Sequence, residues 1–277
     1  MMRNAMTVDV EDYFQVSAFE KIITRDDWDN YPHRVEINTH KVLDLFDEKN
    51  IKATFFTLGW VAERYPGVVR RIVDDGHELA SHGYYHVRVV NQKPAEFYSD
   101  ITKTKALLED LGGVEVKGYR AASYSIGSEN LWAYAELERA GYQYSSSIYP
   151  IKHDLYGMPG APRYKFHPNE ELDILEIPVS TLQILGKTFP CGGGGFFRFY
   201  PYVFSRWALK RMNEVEGQSG MFYFHPWEID PEQPRLKQAS RKAKFRHYLN
   251  LEKTQNRLGH LIDDFDWHRM DEVFLDA

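Results

Sequence analysis

Segments of strand-like and helix-like character alternate along this chain, and that alternation restricts it to an α/β architecture with a parallel sheet. Residues 6–12 read as a short buried strand, and 33–50 carry a helical face of Val35, Val42, Leu45 and Phe46. The β-branched and aromatic run 52–58 follows as a buried strand, then a helix over 61–75 that Pro66 can break. Glu78–Ser81 is a strand. Residues 95–111 form an amphipathic helix ended by Gly112 and Gly113, and 114–120 a strand. Ser128 is placed to cap a helix over 128–140, before a strand at 143–148. A long Pro-, Gly- and Tyr-rich loop spans 149–169. Strands are then expected at 174–179 and 181–185, a helix at 202–216, a strand at 221–224 and a basic, helical tail at 240–264. Repeated crossovers of this kind are expected to close the sheet into a barrel.

Chemistry gathers where the strands end. Ser81-His82-Gly83-Tyr84-Tyr85-His86 puts two imidazoles four residues apart just after a strand. Two neutral imidazoles suit zinc or a similar divalent ion, which still needs a third protein ligand and an open position. The first strand ends in Asp9, Glu11 and Asp12. With a period of two, Asp9 and Glu11 share a face, so one carboxylate can meet a cation while the other takes a proton. Arg120 and His225 close two further strand segments. In a barrel, all these positions open on one rim.

Composition narrows the class. The length of 277 residues suits one large domain, expected to span 1–277. A net charge of −6 argues against nucleic-acid binding. The single Cys191 excludes an internal disulfide framework. No apolar run is long enough for a membrane span, and the N-terminal residues carry no signal-peptide pattern, so the expected location is the cytoplasm, with export compatible. The glycines at 192–195 lack the Lys-Ser/Thr ending of a phosphate loop.

At this point the chain resembles the polysaccharide deacetylases, the NodB-homology or carbohydrate esterase family 4 enzymes. Residues 7–12 match the acidic motif, His82-Gly83-Tyr84-Tyr85-His86 the metal motif, Tyr119-Arg120-Ala121-Ala122-Ser123-Tyr124 the arginine motif, and Phe222-Tyr223-Phe224-His225-Pro226 the final histidine motif. The resemblance covers residues 5–230. Asp9-Val10-Glu11-Asp12-Tyr13-Phe14, His225-Pro226-Trp227-Glu228-Ile229-Asp230 and Phe245-Arg246-His247-Tyr248 are similar to a subgroup with a C-terminal extension, associated with exopolysaccharide and exosortase loci. The extension would occupy about 231–277 and belong to the same catalytic unit.

The resemblance implies a distorted (β/α) barrel of about seven parallel strands and a metal-dependent N-deacetylase of amino sugars in a polysaccharide or its precursor. Glu11, His82 and His86 would hold the divalent ion, zinc above others. Asp9 would be the base and Arg120 its ion-pair partner. His225 would be the acid, and a backbone N–H near Tyr124 would help hold the oxyanion. Tyr124 and Trp227 are candidates to contact the sugar. Three departures from the family pattern stand out. The acids read D-x-E-D, leaving Asp12 as a rival to Glu11. Ala122 stands where a proline is common. Residues 144–147 lack the aspartate that orients the acid histidine, leaving Glu176 or Glu228 for that task. A small-amide hydrolase resembling allantoinases, and a non-catalytic saccharide-binding protein on the same scaffold, are the alternatives. Among other groups, His153 and His167 read as surface residues or contacts for sugar hydroxyls, Tyr149 as packing or a ring to stack on a pyranose, Arg198 as either packing or a contact for an anionic saccharide, and the basic run 235–246 as a solvated helix face.

Overall fold

The computed structural model describes residues 2–154 and 156–275. Its strands are β1 (Arg3–Val10), β2 (Thr54–Thr57), β3 (Glu78–Ser81), β4 (Gly118–Tyr119), β5 (Tyr144–Ser145), β6 (Leu175–Glu176), β7 (Thr181–Ile184), β8 (Lys187–Pro190), β9 (Met221–Phe224) and β10 (Asp266–His268). Seven of them lie side by side in the order β9-β1-β2-β3-β4-β5-β6, all parallel. They curl into a half-barrel of seven parallel strands, the number and direction expected, but without closure. Among the described residues β6 and β9 share no ladder, and on the side away from β1 the edge of β9 carries a parallel bridge from Gly193 to Tyr223. β7 and β8 form a separate antiparallel hairpin.

Both faces of the sheet are dry, as a parallel sheet requires. Phe55 and Leu79 pack outward with helix residues such as Phe46, Val69 and Ile101. Their neighbours Phe56 and Ala80 join Ala5, Tyr124, Tyr144 and Met221 on the concave side. The same alternation turns Thr7 and Asp9 of β1 inward.

Several boundaries differ from the sequence reading. The helix expected at 61–75 starts earlier and does break at Pro66, into Gly59–Arg64 and Pro66–Asp74, parted at Tyr65 because Pro66 opens the second one. Ser128 caps nothing: the helix runs Ala133–Arg139, because the Asn130 side chain accepts from the Gly127 amide and donates to the Ser125 carbonyl, holding the preceding residues in turns. β4 and β5 have two residues each, far shorter than their apolar runs. The 192–195 glycines are not slack. Gly193 has φ 120°, and a Cβ there would lie 1.9 Å from the Tyr223 carbonyl oxygen, so only glycine permits this approach to β9. The next residue begins the helix Gly194–Phe199.

The C-terminal region is woven into the barrel. Helices Arg241–Tyr248 and Leu251–Asp264 meet at Asn250, which has φ 53°. The chain then returns as β10 to pair with the start of β1, on the edge that β2 takes further along. Three residues reading Asp-Trp-His carry too little pattern for sequence to reveal that strand. Among the described residues no helix is long and apolar enough to cross a membrane.

Candidate functional site

Asp9 ends the inward row of β1, and Arg120 follows β4. The guanidinium lies fully buried on the concave side, 3.9 Å over the Phe56 ring. Its Nη1 donates to Asp9 Oδ1 at 2.5 Å and to Thr7 Oγ1 at 2.8 Å, and its Nη2 to Ser146 Oγ at 3.1 Å. A carboxylate in such a setting is tolerable only with a paired, hydrogen-bonded cation. Arg120 supplies that partner and fixes which oxygen of Asp9 faces outward.

Beyond Val10 the chain leaves the ladder, and the Glu11 amide donates back to the Asp9 carbonyl at 3.0 Å. This turn keeps Glu11 on the same rim as Asp9 but sends Asp12 elsewhere. The Asp12 carboxylate accepts from the backbone amides of Tyr13, Arg34 and Val35 at 2.8, 2.6 and 2.9 Å. It thereby supplies the N-terminal cap that the helix Val35–Glu48 lacks locally.

His82 and His86 leave β3 on a loop, not on a helical turn. Gly83 has φ 72° and His86 φ 51°. The Tyr84 amide points at the Asp100 carboxylate, and Arg25 donates to the carbonyls of Tyr85 and His86 at 2.7 and 3.1 Å, which fastens the loop. One ligand atom each from Glu11, His82 and His86 lie within 4.8 Å of one another, all buried. His82 Nδ1 donates to the Arg120 carbonyl at 2.8 Å, so its Nε2 carries the lone pair. Burial pushes His82 down to about 4 and His86 well below the ordinary imidazole value, so both are neutral near pH 7. Burial, with the Asp9 charge adding and His225 opposing, lifts Glu11 to about 7. Glu11 Oε2 is buried without a hydrogen-bond donor, 3.0 Å from His86 Nε2. Two neutral imidazoles around an unsatisfied carboxylate oxygen form a donor set that fits a divalent cation.

His225 follows β9. Its Nε2 stands 3.3 Å from Glu11 Oε1 and 3.9 Å from Asp9 Oδ2. Its Nδ1 is 2.6 Å from Glu228 Oε1, and Glu228 Oε2 accepts from Arg198 Nε at 2.5 Å. Of the two acids that the sequence leaves open, Glu228 therefore orients this ring. Glu176 is bound to the amides of Ser147 and Ile148 and to the Tyr134 hydroxyl. Burial opposes a charge on His225, but the carboxylates of Glu11, Glu228 and Asp9 outweigh it and raise the imidazole to about 9. Arg198 is 2% exposed and donates to the carbonyls of His247 and Leu249, so it is an internal brace.

Asp9, Glu11, His82, His86 and His225 line one end of a cavity of about 670 Å³. Tyr124 and Trp227 line it too, but they are only 5% and 4% exposed. Trp227 stacks with both His225 and His247, at ring separations of 5.0 and 4.1 Å, so it offers an edge and not a free face. Its Nε1 points at Glu11 Oε1, 3.4 Å away. The Tyr124 amide is engaged by the Ala121 carbonyl at 3.0 Å. Ser123 and Tyr124 both hold positive φ, a strained pair at the rim. His153 lines the cavity, stacked on Tyr156 at 4.0 Å, whereas His167 is exposed outside it. Tyr149 is packing, fully buried. Sequence reasoning missed the Arg25 latch and the Asp100 support, which no local pattern announces. It also misread helix Arg241–Tyr248: Lys242, Phe245 and Arg246 line the cavity.

Residues 22–145 match the family model "Polysaccharide deacetylase", and residues 146–275 match "Domain of unknown function (DUF3473)". A peptidoglycan-N-acetylglucosamine deacetylase of Bacillus cereus is 39% identical over 96 residues, 34% of this chain and 35% of that protein. A chitooligosaccharide deacetylase of Bradyrhizobium is 27% identical over 95 residues, 34% of this chain and 43% of that protein. The matched stretches thus span well under half of these curated relatives. Among solved structures, a Mycobacterium smegmatis protein assigned by name to the polysaccharide deacetylases superposes with a TM-score of 0.62 at 18% identity, covering 98% of this chain and 88% of that one. An allantoinase gives 0.60 at 15% identity, covering 98% and 88%. At these identities the two structures speak for the fold alone.

Proposed function

From the match of residues 22–145 to the polysaccharide deacetylase family model, we infer a metal-dependent hydrolase that removes N-acetyl groups from amino sugars of a polysaccharide or its precursor. One observation carries this reading: the Glu11, His82 and His86 donor set shares a single cavity with His225 and with Asp9, which Arg120 pairs from behind. The named relatives, deacetylases of peptidoglycan N-acetylglucosamine and of chitooligosaccharides, support the substrate class.

Glu11, His82 and His86 would hold the ion. When bound, a divalent cation at this site polarises the acetamide carbonyl and makes a water molecule more acidic. Asp9 would accept a proton from the attacking water, because Arg120 occupies Oδ1 and leaves Oδ2 toward the cavity. His225 would present Nε2–H to the amide nitrogen, its other nitrogen being tied to Glu228. The water oxygen joins the acyl carbon, the C–N bond breaks, and the proton from His225 stays on the nitrogen. Acetate and a free amino sugar result. Zinc suits two imidazoles and one carboxylate better than magnesium or calcium would.

The test is acetate release from N-acetylglucosamine oligomers and peptidoglycan fragments by zinc-loaded protein, with allantoin as the small-amide comparison. Release from the saccharides and none of it by Asp9→Asn is expected. Ring opening of allantoin with inert saccharides would replace this reading with the small-amide one.

A further inference from the structure

The inner end of the cavity is acidic, but its mouth is not. Lys21, Lys242 and Arg246 line the outer part, together with Phe199 and Phe245. The acids there are Glu20, which pairs with Arg88 at 2.5 Å, and Asp154. Asp154 alone serves two cations, Lys242 at 2.6 Å and Arg246 at 3.0 Å. One carboxylate therefore steers both heads into the mouth without neutralising both, and an excess of positive charge remains. That excess sits on a protein whose net charge is −6.

The rings are as telling as the charges. Phe199 and Phe245 are 57% and 56% exposed, far more than Tyr124 or Trp227 deeper in. Exposed apolar side chains grouped at the rim of a polar cavity form a surface that a bound partner can cover. Phe245 stands between the two cations on one helix, whose i and i+4 positions place Lys242 and Arg246 on one side. That helix is firmly seated: His247 packs on Phe19 at 4.7 Å, and the Tyr248 hydroxyl accepts from the Leu236 amide. Arg241 and Lys244, on the same helix, do not line the cavity.

Resting on the deacetylase reading, we propose that this mouth is a subsite for an acidic sugar residue, of the uronate class, adjoining the amino sugar that is deacetylated. Phe199 and Phe245 supply apolar faces for the pyranose, and Lys242 and Arg246, with Lys21, bind the carboxylate. The region matching the domain of unknown function would then select the polymer, since all of these groups but Lys21 lie within it.

Two sets of hexasaccharides test this. Hyaluronan and heparosan hexamers alternate a uronate with N-acetylglucosamine in two linkage patterns; chitohexaose has the same amino sugar and no charge. For zinc-loaded protein, KM for at least one acidic hexamer should lie tenfold or more below that for chitohexaose, and the gap should shrink at high salt. The double substitution Lys242→Gln/Arg246→Gln should raise that KM tenfold or more with kcat unchanged, and leave KM for chitohexaose alone. Phe245→Ala should raise KM for both. Equal KM values, or equal effects of the double substitution on both substrates, would overturn the subsite. If the parent releases acetate from none of them, the deacetylase reading fails, and calorimetric binding of the acidic hexamers, lost in the double variant, still reads the subsite separately.

Discussion

Glu228 Oε1 lies 2.6 Å from His225 Nδ1, and Arg198 holds the other oxygen of the same carboxylate. The carboxylate can only accept, so the ring must donate from Nδ1 whenever it is neutral. Charging it adds a proton at Nε2, the nitrogen that faces Glu11 and Asp9. An amide in place of the carboxylate removes both the charge and the fixed tautomer. Glu228→Gln is therefore expected to lower kcat for acetate release by about 10²-fold, the lower end of what a positioned acid contributes. KM should stay within about twofold, because Glu228 lies behind His225 and does not line the cavity. Steady-state kinetics of the zinc-loaded variant gives both numbers.

Glu11 and Asp12 are neighbours with opposite assignments, and two substitutions separate them. Asp12→Ala frees three backbone amides and uncaps the helix Val35–Glu48, which should cost about 1–2 kcal/mol of stability. It should leave zinc stoichiometry near that of the parent. Glu11→Ala should reduce bound zinc sharply. Elemental analysis after dialysis, beside chemical denaturation, distinguishes the two patterns; loss of zinc in the Asp12 variant with retention in the Glu11 variant would reverse them.

Much of this was legible because parallel strands separated by helices leave long periodic signals, and each strand end carried a residue with a reason to be there. Period two predicted the shared side of Asp9 and Glu11, yet the ladder stops at Val10, and a turn maintains the relationship. Other features escaped sequence reasoning. Asp12 caps a helix that starts 23 positions later, and its partner amides carry no side-chain signature. The cavity side of residues 241–248 was hidden because an i, i+4 pair of cations reads alike whether it faces water or a pocket. The choice between Glu176 and Glu228 could not be made from pattern either, because both are fully buried acids near the rim and only the fold shows which one meets His225.

Arg120 neutralises Asp9 inside the barrel, so the two should be coupled in stability as well as in reaction. Arg120→Met leaves the buried Asp9 carboxylate without its hydrogen-bonded cation, a change expected to cost about 3–5 kcal/mol. Adding Asp9→Asn should recover part of that loss, since the stranded charge is gone. A double-mutant cycle by urea denaturation measures the coupling. Strict additivity of the two substitutions would show that the pair is not an energetic unit.

At the opposite end of the strands, Glu78 opens β3 and is fully enclosed among hydrogen bonds from Thr54 Oγ1, Tyr144 Oη and the Asp271 amide. Burial, reinforced by the Asp271 charge, raises its carboxyl from 4.5 to about 7. The folded state therefore binds a proton between those values that the unfolded chain has already released. Glu78's contribution to stability should fall as pH rises across that window. Glu11, Asp12 and Asp100 are also raised and act in the same direction, whereas His77 and His82, lowered by burial to about 3 and about 4, act in the opposite one below pH 6.5. Glu78→Gln carries no such proton, and its amide can still accept at one oxygen position and donate to Tyr144 at the other. The variant should be more stable than the parent at pH 8, and the gap between the two profiles should widen in its favour from pH 5 to 7, whatever slope the other groups impose. Urea denaturation at half-unit pH steps, comparing the two proteins, reads the difference directly. Parallel profiles across the window would mean that Glu78 is ionised in the folded protein throughout.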